Sequence, residues 1–185
     1  MDALTFFTIA RKHARVYNAF GVAIQAVLET GWFKSPLCRT HQNYGGIKCR
    51  DFWLKAGRRC APMVSDEEIA GVRKPVPSSF RVYTGPDDYL ECLNDKFREP
   101  GTNYSVVMAN ADCFWGHYAG LKYGGWATDS KYFVKLCDIT IQLAPDLLGA
   151  GWKQRLVAAF QLIRSRRILE VWMDREISRR LEAIT

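Results

Sequence analysis

The chain of 185 residues lacks the long apolar runs of a membrane protein. A bilayer-spanning helix needs roughly 20 consecutive apolar residues, and the longest stretches here, such as residues 21–28, are far shorter. The first residues also lack the basic region, the apolar stretch and the small-residue cleavage site of a secretory signal. We therefore expect no membrane span and no leader peptide, with synthesis in the cytoplasm and release by another route.

Motifs for metals and cofactors are scarce as well. The six cysteines form no close CxxC pair, which argues against a zinc ribbon or a thioredoxin-type motif. The histidines, His13, His41 and His117, have no spacing that suggests a metal site or a catalytic triad, and no phosphate loop occurs. We expect no metal and no cofactor. The cysteines are expected either as disulfides, with Cys49 and Cys60 closest in sequence, or as buried thiols.

The chain does carry an excess of basic charge. A net charge of +7 favours polyanionic surroundings such as nucleic acid, anionic lipid or the polymers of a bacterial wall. The basic residues are spread along the chain rather than interleaved with aromatics, which argues against a nucleic-acid partner. The length and a hydrophobic content of 48% suit one globular domain that buries its own core.

An acidic residue stands at the end of a predicted helix. Apolar residues recur at helical spacing between positions 4 and 28, with a break near 17–18, and predict two helices. Gly31 suits the left-handed position just after a helix, so we expect Glu29 in the last turn of the second helix. There the negative end of the helix dipole and the neighbours Trp32 and Phe33 should raise the pKa of its carboxyl group.

The pattern changes after the second helix. Between residues 35 and 83, short segments are separated by glycines and prolines, with strand-like alternation at 79–83, which predicts a small β lobe. Further helices are predicted at residues 87–97, 104–118 and 132–143. Helices on both sides of a small β lobe predict a mostly helical α+β domain, residues 1–145, with two lobes and a cleft between them.

Residues 146–185 are predicted to form an appended C-terminal extension. Residues 152–184 are amphipathic and helical in pattern, with eight Lys or Arg against four acids. Two interpretations stay open. The apolar face packs against the domain or another subunit, or it makes weak contact with an anionic membrane or wall polymer.

Four blocks resemble, in order, the motifs of one enzyme family. Residues 25–35 (QAVLETGWFKS) resemble AQAALETGWGKS, 43–48 (NYGGIK) resemble NLFGIK, 79–83 (SFRVY) resemble FRxY, and 124–132 (GGWATDSKY) resemble GGYATDPxY. These motifs belong to glucosaminidases of glycoside hydrolase family 73, known from flagellar and autolysin-type peptidoglycan hydrolases. The resemblance covers about residues 4–143 and implies a lysozyme-like fold.

The resemblance implies roles for two carboxylates. Glu29 matches the general acid that protonates the glycosidic oxygen, a role that fits its expected raised pKa. The family's second carboxylate lies thirteen residues before the FRxY phenylalanine, here Phe80, which selects Glu67, with Asp66 and Glu68 as alternatives. The substrate's own acetamido group, forming an oxazolinium intermediate, is an alternative that makes a second carboxylate less important.

Three positions depart from the family pattern. Trp126 stands where the family has the tyrosine of YATDP. An indole can donate a hydrogen bond or stack on a sugar but, unlike a phenol, it cannot transfer a proton. Tyr132 and Tyr123 are the nearest phenols that could take over. Ser130 replaces the family's proline and Gly45 its phenylalanine, so the chain is a divergent member.

Several aromatic residues are candidates for sugar subsites. Aromatic faces stack on pyranose rings, but aromatic side chains also fill protein cores, so each candidate has both interpretations. The predicted substrate contacts are Trp32, Tyr44, Tyr83, Tyr123, Trp126 and Tyr132, with Trp53 and Trp115 as further candidates.

The expected activity is that of a peptidoglycan hydrolase. An endo-β-N-acetylglucosaminidase would cleave the N-acetylglucosaminyl-β-1,4-N-acetylmuramyl bond of glycan strands in the periplasm or outside the cell. A phage endolysin released through holin pores, or an effector of a secretion machine, would suit a chain without a leader, and an excised domain of a larger protein is a third interpretation. Two alternatives stay open: a non-catalytic glycan-binding module, made plausible by Trp126, and a muramidase or lytic transglycosylase on the same scaffold.

Overall fold

The computed structural model describes residues 1–69 and 72–184, and the side chains of all of these except residues 66–69 and 73. This part of the chain is mostly helical, with one two-stranded sheet. The elements are α1 (Ala3–His13), α2 (Ala19–Thr30), α3 (Pro36–His41), α4 (Asp51–Lys55), β1 (Cys60–Ile69), β2 (Val72–Arg81), α5 (Pro86–Arg98), α6 (Ser105–Ala109), α7 (Phe114–Tyr123), α8 (Tyr132–Leu148), α9 (Trp152–Ser165) and α10 (Val171–Glu182).

Helix α2 lies at the centre of the helical lobe. Asn18 caps its start, since the side chain accepts a hydrogen bond from the backbone N–H of Gly21 at 2.9 Å. Most of the helix is buried, and it packs against α1, α7 and α8. Gly31 follows its end in the left-handed region, with φ at 54°, a conformation that glycine adopts without a steric penalty. The predicted pair of helices, the second followed by Gly31, is confirmed.

The β lobe is an antiparallel hairpin of β1 and β2. Its register places Cys60 opposite Arg81 and Glu67 opposite Lys74. A disulfide between Cys49 and Cys60 ties the start of β1 to the segment before α4. The other four cysteines are free thiols, so the chain combines both predicted cysteine states. The predicted two-lobed α+β fold is confirmed.

Buried polar groups join the β lobe to the helical lobe. The side-chain amide of Asn43 donates to the backbone oxygens of Ile47 and Arg81, both at 2.9 Å. The guanidinium of Arg81 pairs with Glu99, which also accepts from Lys96 at 2.8 Å, and all three side chains are buried. Because buried charges are stable only when paired, this cluster fixes the base of β2 against the end of α5.

The prediction of one helix over residues 104–118 is wrong. The chain forms α6 and α7 with a turn between them, and Asn110 closes α6 by donating from its side chain to the backbone oxygen of Val106 at 2.7 Å. Gly120 of α7 lies so close to α6 that an added Cβ would be 2.4 Å from the backbone nitrogen of Val107. A continuous helix could not make this contact, so the turn serves the packing of α6 on α7.

The C-terminal extension is two helices that pack on the domain. Met173, Ile177 and Leu181 of α10 are buried, and Trp172 meets Phe133 of α8 edge to face at 5.3 Å between ring centroids. This agrees with the packing interpretation of the apolar face. The boundary predicted after residue 145 falls inside α8, which continues to Leu148. Within the described residues, no helix combines the length and the apolar character of a membrane span.

Candidate active site

Glu29 is half-buried in the last turn of α2. Its Oε1 accepts two hydrogen bonds, one from the Tyr132 hydroxyl at 2.6 Å and one from the indole Nε1 of Trp126 at 3.0 Å. Tyr132 begins α8 and Trp126 follows α7, so three elements of the helical lobe meet at this carboxyl group. Two donors on one oxygen fix the orientation of the carboxyl, which directed proton transfer requires.

The other carboxyl oxygen of Glu29 has different surroundings. Among the described residues, none donates a hydrogen bond to Oε2. The turn of residues 45–46 passes beside it, since a Cβ built on Gly46 would lie 3.7 Å from Oε2. Because Oε1 already accepts two hydrogen bonds, the proton of neutral Glu29 belongs on Oε2, where it is available for transfer.

Burial raises the pKa of Glu29 to about 7. Desolvation is the largest cause, because the ionised carboxylate loses its water in this site. The hydrogen bonds from Tyr132 and Trp126 favour the charged form and lower the pKa by a smaller amount. The predicted direction is correct, and desolvation, one of the two predicted causes, is the largest one. Phe33 packs in the core against Phe6, and the groups in contact with Glu29 are Trp126 and Tyr132.

Trp126 is held by close packing. Its indole contacts the rings of Phe97 and Tyr104, with centroids 5.8 and 5.7 Å away. A Cβ built on Gly45 would be 3.0 Å from Cζ2 of Trp126 and 2.4 Å from the Tyr89 hydroxyl oxygen. Glycine at 45 and tryptophan at 126 are therefore one structural feature, because the missing side chain at 45 leaves the space that the indole occupies.

Comparison with protein families identifies the chain. Residues 7–144 match the family model named Glucosaminidase, described as mannosyl-glycoprotein endo-β-N-acetylglucosaminidase. The chain belongs to the glucosaminidase family. The matched region contains Glu29, Trp126 and Tyr132, so the site described above lies wholly within the glucosaminidase domain.

Several solved structures share this fold. A peptidoglycan hydrolase mutant from Sphingomonas sp. A1 is 24% identical, with 84% of this chain and 95% of that chain covered and a TM-score of 0.62. The truncated glycoside hydrolase domain of FlgJ from Salmonella typhimurium is 25% identical, covering 77% and 97%, with a TM-score of 0.58. The catalytic domain of the autolysin Auto from Listeria monocytogenes is 22% identical, covering 76% and 78%, with a TM-score of 0.56. No curated protein sequence matches significantly.

Three tyrosines predicted as substrate contacts are placed elsewhere in the glucosaminidase domain. Tyr44 and Tyr83 are only 1% and 3% exposed and pack in the aromatic core around Tyr89. The hydroxyl of Tyr123 donates to the backbone oxygen of Ile168 at 2.7 Å, on the side of the C-terminal helices. Tyr44 and Tyr83 are too deeply buried to stack on a sugar, which corrects the prediction for these two rings. Tyr123 is partly exposed, but its hydroxyl is bonded to Ile168 and not to Glu29. Of the two candidate phenols, Tyr132 is the one that reaches Glu29.

The predicted tryptophan contacts are divided between surface and core. Trp32 is 41% exposed and lines a groove formed by the start of α1 and the end of α8, separate from the partners of Glu29. Trp115 is completely buried and donates from Nε1 to the backbone oxygen of Leu156 at 3.2 Å. Trp53 is buried too, against Tyr83. Trp32 is thus the exposed member of this group.

The predicted second carboxylate is placed only as backbone. Glu67 lies in β1, two residues from the end of that strand, opposite Lys74. Its side chain, and those of Asp66 and Glu68, lie outside the described residues. The prediction that Glu67 assists the reaction therefore stays a prediction.

Two buried residues near Glu29 were not predicted from the sequence as part of the site. Gln25 lies one turn before Glu29 on α2, and Tyr89 of α5 packs against the turn that carries Gly45. The spacing of four between Gln25 and Glu29 was a usable signal, because it places both on one helix face. Within the described residues, no group of three His, Cys, Asp or Glu side chains converges as metal ligands would.

Proposed function

We propose that this glucosaminidase is an endo-β-N-acetylglucosaminidase that hydrolyses the bond between N-acetylglucosamine and N-acetylmuramic acid in peptidoglycan, with Glu29 as general acid. The observation that carries the proposal is the Glu29 carboxyl group, oriented by Tyr132 and Trp126 and with its pKa raised to about 7. A general acid works best when its pKa lies near the working pH. Glu29 is therefore protonated in about half of the molecules at pH 7, and in this form it can give its proton to the glycosidic oxygen.

The choice of substrate rests on similarity and charge. The solved structures with this fold include peptidoglycan hydrolases from Sphingomonas and an autolysin from Listeria. A net charge of +7 favours association with an anionic wall polymer. The proposed partner is accordingly the glycan strand of peptidoglycan in the bacterial cell wall. Trp32 is a candidate contact with this strand, away from the partners of Glu29.

The second half of the reaction needs a nucleophile at the sugar C1 carbon. In one route Glu67 activates a water molecule or positions it. In the other, the acetamido oxygen of the substrate attacks C1, and water then opens the oxazolinium ion. In both routes the glycosidic C–O bond breaks as the proton leaves Oε2 of Glu29 for the departing oxygen, and water completes the hydrolysis.

Replacement of Glu29 by Gln tests the assignment. Glutamine keeps an oxygen for the two aromatic donors but has no transferable proton, so we expect release of reducing ends from purified sacculi to fall by at least about 100-fold. The melting temperature at pH 7 should be no lower than that of the wild type. Substantial residual hydrolysis by a folded Glu29→Gln variant would refute Glu29 as the acid.

The same assay identifies the second group and the bond that is cut. Glu67 and Glu68 are adjacent acids in β1, so Glu67→Gln and Glu68→Gln form a matched pair, and loss of activity in only the first supports Glu67. Mass spectrometry of wild-type products should show N-acetylglucosamine at the new reducing ends. N-acetylmuramic acid ends indicate a muramidase, anhydro sugars a lytic transglycosylase, and intact strands a binding module.

A further inference from the structure

Gln25 is a buried amide on the same face of α2 as Glu29. It is 1% exposed and lies one helical turn before the acid. Among the described residues, neither its amide nitrogen nor its amide oxygen forms a hydrogen bond of standard geometry. Unpaired buried amides destabilise a fold, so a group of this kind calls for an explanation in function.

The neighbour of this amide is the phenol that binds Glu29. Gln25 lies beside the Tyr132 hydroxyl, close enough to lower the pKa of that phenol. The hydroxyl in turn donates to Oε1 of Glu29 at 2.6 Å. A row of three side chains, Gln25, Tyr132 and Glu29, therefore leads from the core of the helical lobe to the carboxyl group of Glu29.

We propose that Gln25 is a positioning residue that keeps the Tyr132 hydroxyl on Glu29 in both protonation states of the acid. A phenol has one O–H donor and two acceptor lone pairs, and an amide has both a donor and an acceptor. When Glu29 is ionised, Tyr132 donates to the carboxylate and the N–H of Gln25 donates to the phenol oxygen. When Glu29 is protonated on Oε2, its Oε1 still accepts from Tyr132, and the N–H of Gln25 keeps its bond to the phenol oxygen.

The remaining titratable groups around this row are neutral near pH 7. Burial raises the pKa of Tyr89, from α5, and of Tyr132, from α8, well above the ordinary value of a phenol. His117 of α7 lies against Gly21, one turn before Gln25, and burial lowers its pKa to about 3. Of the described side chains in this region, Glu29 is thus the one that changes charge near neutral pH, and a shift in the pH profile reports on it.

Replacement of Gln25 by Met tests the inference, which rests on the proposed role of Glu29. Methionine has a similar size but cannot bond to the phenol, so the Tyr132 hydroxyl becomes a weaker donor and the Glu29 carboxylate is less stabilised. We expect kcat to fall about tenfold with KM changed less than about twofold. Activity requires protonated Glu29, so the basic limb of the pH profile should move up by about half a pH unit.

A control on α8 separates this role from general stability. Thr140 is buried and bonded to the Tyr118 hydroxyl at 2.8 Å, away from Glu29. Thr140→Val should lower the melting temperature without moving the basic limb. If Gln25→Met fails to fold, Gln25→Glu keeps the side-chain size, and a second acid beside Tyr132 should move the limb further up.

Carbon-13 NMR of labelled glutamate carboxyl groups measures the Glu29 titration without any substrate. The Glu29 signal is assigned by its loss in Glu29→Gln. A folded Gln25 variant that titrates and turns over like the wild type overturns the inference. A shifted titration in a protein that cleaves no peptidoglycan supports the role of Gln25 and refutes the proposed function, so the two failures are distinguishable.

Discussion

The contact between Gly45 and Tyr89 leaves no space for a methyl group. A Cβ at position 45 would lie 2.4 Å from the Tyr89 hydroxyl oxygen and 3.0 Å from Cζ2 of Trp126. Overpacking a buried site costs about 1–3 kcal/mol, so Gly45→Ala should lower the free energy of unfolding by about that amount. Urea denaturation measures this loss, and the near-ultraviolet circular dichroism of the indole reports the movement of Trp126.

Two variants check the explanation. Gly85 has open space around its missing side chain and an extended backbone, so Gly85→Ala should have almost no effect. Tyr89→Phe removes the oxygen nearest to the clash, and in the Gly45→Ala background it should restore part of the lost stability. Equal stabilities for Gly45→Ala and Gly85→Ala would show that the turn adapts freely.

At single residues, the sequence predicted the position of Glu29 on its helix better than it predicted the surroundings of this residue. The position of Glu29 follows from local signals, an apolar helix followed by a glycine, and these hold in the structure. The role of an aromatic residue depends on tertiary packing, which no local pattern contains. Tyr44 and Tyr83 are therefore in the core, and the choice of Tyr132 over Tyr123 required the placement of α8 beside α2.

At the scale of elements, α10 contributes to the hydrophobic core of the chain. Ile177 is completely buried between α10 and the domain, whereas Val171, at the start of the same helix, is 68% exposed. Removing a buried branched side chain costs about 2–5 kcal/mol, so we expect Ile177→Ala to destabilise the protein by this amount in a single calorimetric transition. Val171→Ala should have little effect. A separate, low-temperature transition in Ile177→Ala would instead indicate that the extension folds independently.

Helices with a strong hydrophobic periodicity were predictable from the sequence, but the turns that interrupt or end helices were not. Helices α2 and α5 carry clear apolar faces and clear ends. The turn between α6 and α7 depends on the bond from Asn110 to Val106 and on the close approach of Gly120 to Val107, and both belong to the contact between two helices. The extent of α8 was underestimated for a related reason. Pro145 lies near the C-terminal end of α8, where the absence of one backbone N–H donor does not end the helix.

In the whole molecule, buried polar side chains connect the two lobes. The periodicity of helices and strands in the sequence does not predict these contacts. The ion pair between Arg81 and Glu99 joins the end of β2 to the end of α5. The side-chain amide of Asn43 donates hydrogen bonds to the backbone oxygens of Ile47 and Arg81. These contacts fix the turn of residues 45–46 near Oε2 of Glu29. The position of the β lobe relative to the acid is thus set by a small number of buried polar contacts.

The proton on Glu29 also links the pH to the stability of the whole molecule. Its pKa is about 7 in the folded protein, against an ordinary value of 4.5, so the folded state binds this proton more tightly than the unfolded state. Below about pH 4.5 both states are protonated and the group costs nothing. Between about pH 4.5 and 7 the unfolded state releases this proton before the folded state does, so stability falls. Above about pH 7 both states are ionised and the loss is complete.

The side chain at position 29 is neutral at every pH in the Glu29→Gln variant, so this variant should not lose stability as the pH rises. After allowance for partial solvent screening of a half-buried group, we expect the variant to exceed the wild type by about 1–2 kcal/mol at pH 8 and to equal it at pH 4. Urea unfolding at the two pH values measures the difference. Replacement of exposed Asp95 by Asn gives the baseline for losing one carboxyl group at the surface. A difference between Glu29→Gln and wild type that does not change with pH would mean that folding does not raise the pKa of Glu29, and its proposed role as an acid at neutral pH would fail with it.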